Sequence, residues 1–280
     1  MHALVLQSDF GHADGAVCAM YGVAESVAPA LRICDLTHEI EPYNIWEASY
    51  RLIQTIDYWP EETVFVSVVD PGVGSSRRSI AARASGNRYI ITPDNGTLTH
   101  VLRLRGIQSL RVIDETRNRL PFSSEAYTFN GRDVYAFTGA RLASGAIGFD
   151  DIGPEVPVSS AVVLPIMEPQ MKDGTITGTI DVLDVRFGSI WTNIPHTLIR
   201  EAGIRYGDRV QVSIRNDTRF VYRNVMTFAH SFSEVYVGET LAYINSLDYL
   251  AVAINQGSFA RAYNIGTGNG WHISICKSNL

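Results

Sequence analysis

At 280 residues, 46% hydrophobic content and a formal net charge of −6, the chain has room for a large core and two domains. No run approaches the ~20 apolar residues that span a bilayer, and the scattered Arg and Lys form no basic stripe, so neither a membrane nor a nucleic acid is expected as a partner. Cys18, Cys34 and Cys276 are far apart and lack a C-x-x-C pair, which fits reduced apolar filler better than a disulfide framework or a metal site.

The first residues run straight into a strand, Ala3 to Gln7, rather than a charged leader, and a cytoplasmic address is expected. That strand ends in Ser8-Asp9-Phe10-Gly11-His12-Ala13-Asp14-Gly15, ahead of an apolar-periodic helix from Ala16 to Val27. Two acids in a Gly-punctuated loop can grip vicinal hydroxyls or an ammonium group. Asp9 and Asp14 read equally as helix N-caps. Leu31 to Leu36 forms the next strand, and a polar loop containing Tyr43 and Asn44 precedes a helix from Ile45 to Ile56. Strand, loop and helix repeat, the pattern of an α/β unit.

A buried strand, Thr63 to Val69, then spills into Asp70-Pro71-Gly72-Val73-Gly74-Ser75-Ser76-Arg77-Arg78. Chemistry in open α/β sheets sits at such carboxyl strand ends. Arg77 can fold back across the glycines to Asp70, and a carboxylate held by a guanidinium is a seat for a small polar reactant such as water. The competing reading is a turn aspartate neutralised by a surface arginine. A hairpin (Ser79 to Ala84, Tyr89 to Thr92) leads to Pro93-Asp94-Asn95-Gly96 and a helix ending at Leu104, on which His100 reads as a partly exposed structural histidine. Thr128-Phe129-Asn130-Gly131-Arg132-Asp133 precedes a helix from Val134 to Ser144 and supplies a third polar loop.

From about Gly148 the character changes, and an irregular, proline-bearing stretch to about residue 170 separates an α/β domain (1–150) from a β-rich domain (170–280). Short strands with turn signals there suggest a small barrel or sandwich. Within it, Asp184 to Ile194 and Ile244 to Gly257 carry polar groups beside aromatics; Phe187 and Trp191, taken singly, read more readily as core. The expected fold is thus an α/β domain with a largely parallel central sheet, followed by an all-β domain.

Taken together, Ser8-Asp9-Phe10-Gly11, Asp70 to Gly74 with Arg77-Arg78, Pro93 to Gly96, Thr128 to Asp133, Phe187-Gly188 with Thr192-Asn193-Ile194, and Asn245-Ser246 with Asn255 resemble the S-adenosyl-L-methionine (SAM) hydroxide adenosyltransferases, relatives of the fluorinase and chlorinase. The resemblance covers nearly the whole chain. It implies attack of water or hydroxide on the ribose 5′-carbon of SAM, giving adenosine and L-methionine. SAM is then the substrate, and neither a cofactor nor a metal is expected. It implies that Asp9 holds the ribose diol, that Asp14 and Asp184 lie near the methionine end, and that Tyr43 lies against the sugar. Phe187, Ser189, Asn255 and Gly257 fall in segments that wrap adenine, and Val73, Phe129 and Ser246 join the substrate-binding set. A homotrimer with its site at the subunit interface is also implied.

The hydrolytic branch of that family carries an Asp, Arg, His trio, of which Asp70 and Arg77 are present while the third position is Asn130. Asparagine holds water by hydrogen bonds but takes no proton near neutral pH. Ser189 also stands where a relative has asparagine. A halogenase of the same fold is the first alternative, against which Asp70 argues by repelling a halide. A SAM- or adenosine-binding module with little turnover is the second.

Overall fold

The computed structural model describes residues 2–123, 127–268 and 270–278, and the chain separates into two units, Met1–Leu164 and Pro165–Leu280. The first runs β1 (Leu4–Ser8), α1 (Ala16–Val27), β2 (Ile33–Thr37), α2 (Ile45–Thr55), β3 (Val64–Val68), β4 (Ser79–Ala84), β5 (Arg88–Pro93), α3 (Thr99–Leu104) and β6 (Ile107–Val112). A π-helical segment, Gly131–Ala136, then continues into α4 (Phe137–Ser144), and β7 (Glu155–Val156) completes the sheet. Its strand order is β2-β1-β3-β5-β4-β6-β7. The β2, β1, β3 and β5 strands pair in parallel, and the rest pair antiparallel. Because β6 reverses β4, which itself reverses β5, five of the seven strands share one direction.

The sequence explains this layering. β1 and β3 are buried at every position, as apolar runs are when helices cover both faces of a parallel sheet. Alternate residues feed different cores: Leu4, Leu6, Val64 and Val66 pack with Met20, Tyr135 and Ala140, while Val5 and Phe65 pack with Leu52, Ile53 and Val101. On α1 the buried residues are Val17, Met20, Val23 and Ala24, one stripe at helical spacing. α2 opens with the Asn44 side chain accepting the Glu47 N–H at 2.9 Å.

Several elements differ from the sequence reading. β6 falls in a stretch to which the sequence reading assigns no element, since Gln108 and Arg111 interrupt any regular apolar period in its sequence IQSLRV. α3 begins only at Thr99 because the preceding residues are held in turns: Asn95 Oδ1 accepts from Thr97 N–H and hydroxyl, and the Thr99 hydroxyl donates to Gly96 O. His100 is buried, with 4% of its surface exposed, and Cys18 is exposed rather than apolar filler.

The second unit runs β8 (Gln170–Lys172), β9 (Thr175–Leu183), β10 (Ile190–Pro195), α5 (His196–Glu201), β11 (Arg209–Asn216), β12 (Arg219–Phe228), β13 (Thr240–Ile244), β14 (Tyr249–Ile254), α6 (Phe259–Tyr263) and β15 (Trp271–Lys277). The order β10-β14-β13-β12-β11-β15-β9 is closed by pairing of β9 with β10, giving a seven-stranded barrel. β8 pairs with residues 175–177 of β9, beside the stretch that β10 takes over from Ile180. Val210, Val212 and Ile214 alternate inward from β11, joining Ile176, Ile194, Met226, Phe228 and Val252 in the barrel core.

Candidate active site

Three polar loops converge where β1 and β3 end. After β1, the Asp9 carboxylate accepts the Tyr43 N–H at 2.8 Å, and Tyr43, exposed, sits at φ 71°, a conformation a non-glycine residue holds only when its surroundings enforce it. The loop is braced from beneath. His38 Nε2 lies 3.0 Å from Asp35 Oδ1, and His38 Nδ1 lies 2.7 Å from the Ser8 hydroxyl. Burial lowers the His38 pKa, so the ring is neutral, donates to Asp35 and accepts from Ser8, which in turn accepts the Phe10 N–H. Ser8 is fully buried, so this Ser-His-Asp chain is a brace rather than a nucleophile. Asp14 is not drawn in with Asp9: its carboxylate accepts the Ala16 N–H at 2.9 Å, at the mouth of α1.

After β3, Asp70 is anchored through one oxygen. Its Oδ1 accepts the Gly72 N–H at 3.1 Å and a short bond from Arg77 Nη1, whereas Oδ2 takes no hydrogen bond among the described residues. Only 7% of the Asp70 side chain is exposed. Asn95 holds this strand end by donating to Val69 O at 2.8 Å, while Arg78 is taken up by Asp94 and Ser160 O. Val73, exposed, forms the turn through its N–H to Asp70 O.

The third loop enters the π-helical segment. Gly131 allows the close approach: a Cβ there would lie 3.0 Å from the Phe10 ring and 3.4 Å from Val68 Cγ1, the end of β3. Phe129 packs edge-on against Phe10 at 5.7 Å, with the Arg132 guanidinium 4.9 Å from its ring centre. Asn130 Oδ1 accepts from Arg119 Nη2 at 3.1 Å, and the same nitrogen is 2.6 Å from Glu115 Oε2. Glu115 Oε1 takes the Ser79 hydroxyl, which also lies 3.2 Å from Tyr135 OH. Burial raises the Tyr135 phenol, and the Asp70 and Glu115 carboxylates raise it further. Arg119 and Glu115 escaped the sequence reading because they lie in the same unpatterned stretch as β6.

In the second unit, Asp184, Phe187, Ser189, Asn255 and Gly257 all line one cavity of about 610 Å³, with Phe232 and Tyr243 among its other walls. Asp184 shapes its rim by accepting the N–H groups of Arg186 and Phe187, each at 3.2 Å. Phe187 stands 71% exposed, unlike the core role that an isolated phenylalanine suggests. Gly188, at φ 72°, makes that turn possible, since a Cβ would strike Ser258. Asn255 spends its amide nitrogen on Phe232 O (3.1 Å) and Val235 O (2.9 Å), which leaves its carbonyl oxygen as an acceptor. Burial holds the Tyr243 phenol above its ordinary value, opposed by Ser189 and Trp191. Ser246 is apart from this set: it is exposed in the turn between β13 and β14, at the opposite end of the hairpin from Asn255.

Residues 4–153 match the SAM hydroxide adenosyltransferase N-terminal domain, and residues 178–272 match the corresponding C-terminal domain. The chain belongs to the SAM hydroxide adenosyltransferase family. Among members of this family, an (R)-S-adenosyl-L-methionine hydrolase of Salinispora tropica is 34% identical over 94% of each chain. A protein of the same name from Thermus thermophilus is 33% identical over 96% of this chain and 98% of its own. A fluorinase of an Actinoplanes species is 28% identical over 95% of each. The fold also resembles an uncharacterized conserved protein from Thermotoga maritima, with a TM-score of 0.88, 30% identity and 98% and 99% of the two chains covered.

Proposed function

We propose that this chain hydrolyses SAM to adenosine and L-methionine. Water attacks the ribose 5′-carbon in line with sulfur, the C–S electron pair leaves with the thioether, and the oxygen, now bonded to carbon and still bearing both protons, passes one to Asp70 and keeps the other as the 5′-hydroxyl. The observation that carries this reading is the Asp70 carboxylate, fixed through Oδ1 by Gly72 and Arg77 and open at Oδ2. Methionine departs as a neutral thioether, so the step asks for no general acid, cofactor or Lewis acid. It asks for alignment and a held nucleophile.

The Arg77 ion pair offsets much of the charge that would repel a halide, so charge alone does not select water. Hydrogen bonding does: water donates to Oδ2, and a halide has no proton to donate. In this reading Asp9 receives the ribose hydroxyls, with Tyr43, Val73 and Phe129 beside the sugar. Asp14 and Asp184 face the cationic methionine end, and Ser246 belongs to the substrate-binding set without an assigned part of the substrate. The cavity of the second unit, with Phe187, Ser189, Asn255 and Gly257, takes adenine. We place these two halves on neighbouring copies in a homotrimer, which family membership supports. The free cysteines suit a reducing cytoplasm.

The test is incubation of the pure protein with each sulfonium epimer of SAM in heavy-oxygen water. Label in the 5′-hydroxyl of released adenosine is expected. No adenosine, as for a binding module, or adenosine without label, would overturn the reading; 5′-chloroadenosine in added chloride would favour a halogenase. A chelator is expected to leave the rate unchanged, and a loss restored by zinc would refute the metal-free step.

A further inference from the structure

Asn130 stands where the hydrolytic trio has histidine, and its environment fixes which end of its amide faces away from Arg119. A guanidinium only donates, so the atom 3.1 Å from Arg119 Nη2 must be the carbonyl oxygen. The amide nitrogen then points away from Arg119, and it takes no partner among the described residues. Arg119 is itself held hard: Glu115 binds the same Nη2, the Tyr127 ring lies 5.1 Å from the guanidinium, and Nη1 is sealed from solvent with no partner among the described residues. A guanidinium so desolvated, with a nitrogen left unsatisfied, is an expensive way merely to fill space.

We infer that Arg119, braced by Glu115, is a positioning residue that sets the Asn130 amide with its N–H groups toward the attacking water. This rests on the hydrolase reading above. Asn130 then donates to one lone pair of the water while Asp70 Oδ2 accepts one of its protons, and the remaining lone pair is aimed at carbon. With the amide reversed, the water would face two acceptors, and no donor would hold one of its lone pairs. Gly131, packed on Val68 and Phe10, ties the residue after Asn130 to the end of β3 just before Asp70. The Glu115–Arg119 pair thus supplies, through orientation, what the absent histidine would supply directly.

The experiment is a double-mutant cycle on single-turnover rate and KM using Arg119→Met, Asn130→Ala and both together, with Arg119→Lys as a folding-tolerant companion. Arg119→Met should lower kcat about tenfold with KM within about twofold, Arg119→Lys should recover a good part of it, and Arg119→Met should have no further effect once Asn130 is alanine. Equal losses in both backgrounds, or a change confined to KM, would overturn the proposal while leaving the hydrolase reading intact. If the unaltered protein releases no adenosine from SAM, the hydrolase reading falls and this inference falls with it.

Discussion

At the scale of single residues, the role proposed for Asn130 separates water orientation from proton removal. In the proposed step the attacking water becomes strongly acidic only once it is bonded to carbon, and Asp70 Oδ2 is the acceptor we propose for its proton. A histidine at 130 would face the Arg119 donor with a ring nitrogen, and the nearby cation disfavours its protonated form. Asn130→His is therefore expected to leave the single-turnover rate within a few-fold, with no new titration near 6.5, whereas Asp70→Asn should cost on the order of a hundredfold or more. A tenfold gain in Asn130→His, with a new pKa in its pH profile, would refute the assignment. The pairing of Arg77 with Asp70 was legible because a Pro/Gly turn after an apolar run announces a strand end. Glu115 and Arg119 were not, since they are placed by contacts with Ser79, 36 residues from Glu115, and Asn130, 11 residues from Arg119, that no local pattern announces.

At the scale of elements, α3 docks on α2 through His100. Its N–H donates to Ser49 Oγ at 3.0 Å, its Nδ1 lies 2.9 Å from the same oxygen, and Trp46 and Tyr50 meet its ring edge-on. Burial, helped by Arg103, lowers its pKa to about 4. The unfolded chain takes up this proton near 6.5 and the folded one only near 4, so the stability is complete above 6.5 and drains away as pH falls between those values. The loss is on the order of 3 kcal/mol by the lower limit. Urea midpoints measured from pH 7 to 4 should fall steeply, and less steeply in His100→Gln; parallel curves for the two proteins would refute this. Helices with clear periodicity, such as α1, could be read directly. The π-helical segment could not, because its register is set by the packing of Gly131 and Tyr135 rather than by local preference.

At the scale of the whole molecule, the change from alternating strands and helices to short strands could be read from turn signals and strand spacing, which suggested a small barrel or sandwich, but closure of the barrel could not. Closure depends on β9 meeting β10 through a register shift between Trp191 and Thr192, a tertiary event without a local signature. Since the barrel encloses its own apolar core, residues 165–280 expressed alone are expected to unfold cooperatively on heating, followed by circular dichroism. A gradual, featureless loss of signal would count against an autonomous barrel.

That closure also bears on how copies of the chain behave when crowded or heated. β9 is occupied along both sides, by β15 on one and by β8 and then β10 on the other, and only the three-residue β8 is left at a rim. The sheet of the first unit ends instead in β2, a five-residue edge with partly exposed side chains, and at its other side in the two-residue β7. Among the described residues the longest strand edge open to pairing between chains is therefore β2, at the amino-terminal half. Clumping of heated protein should be slowed by a lysine or proline placed on β2, while the same changes on β8 should leave it untouched, and fusion partners belong on the carboxyl-terminal side.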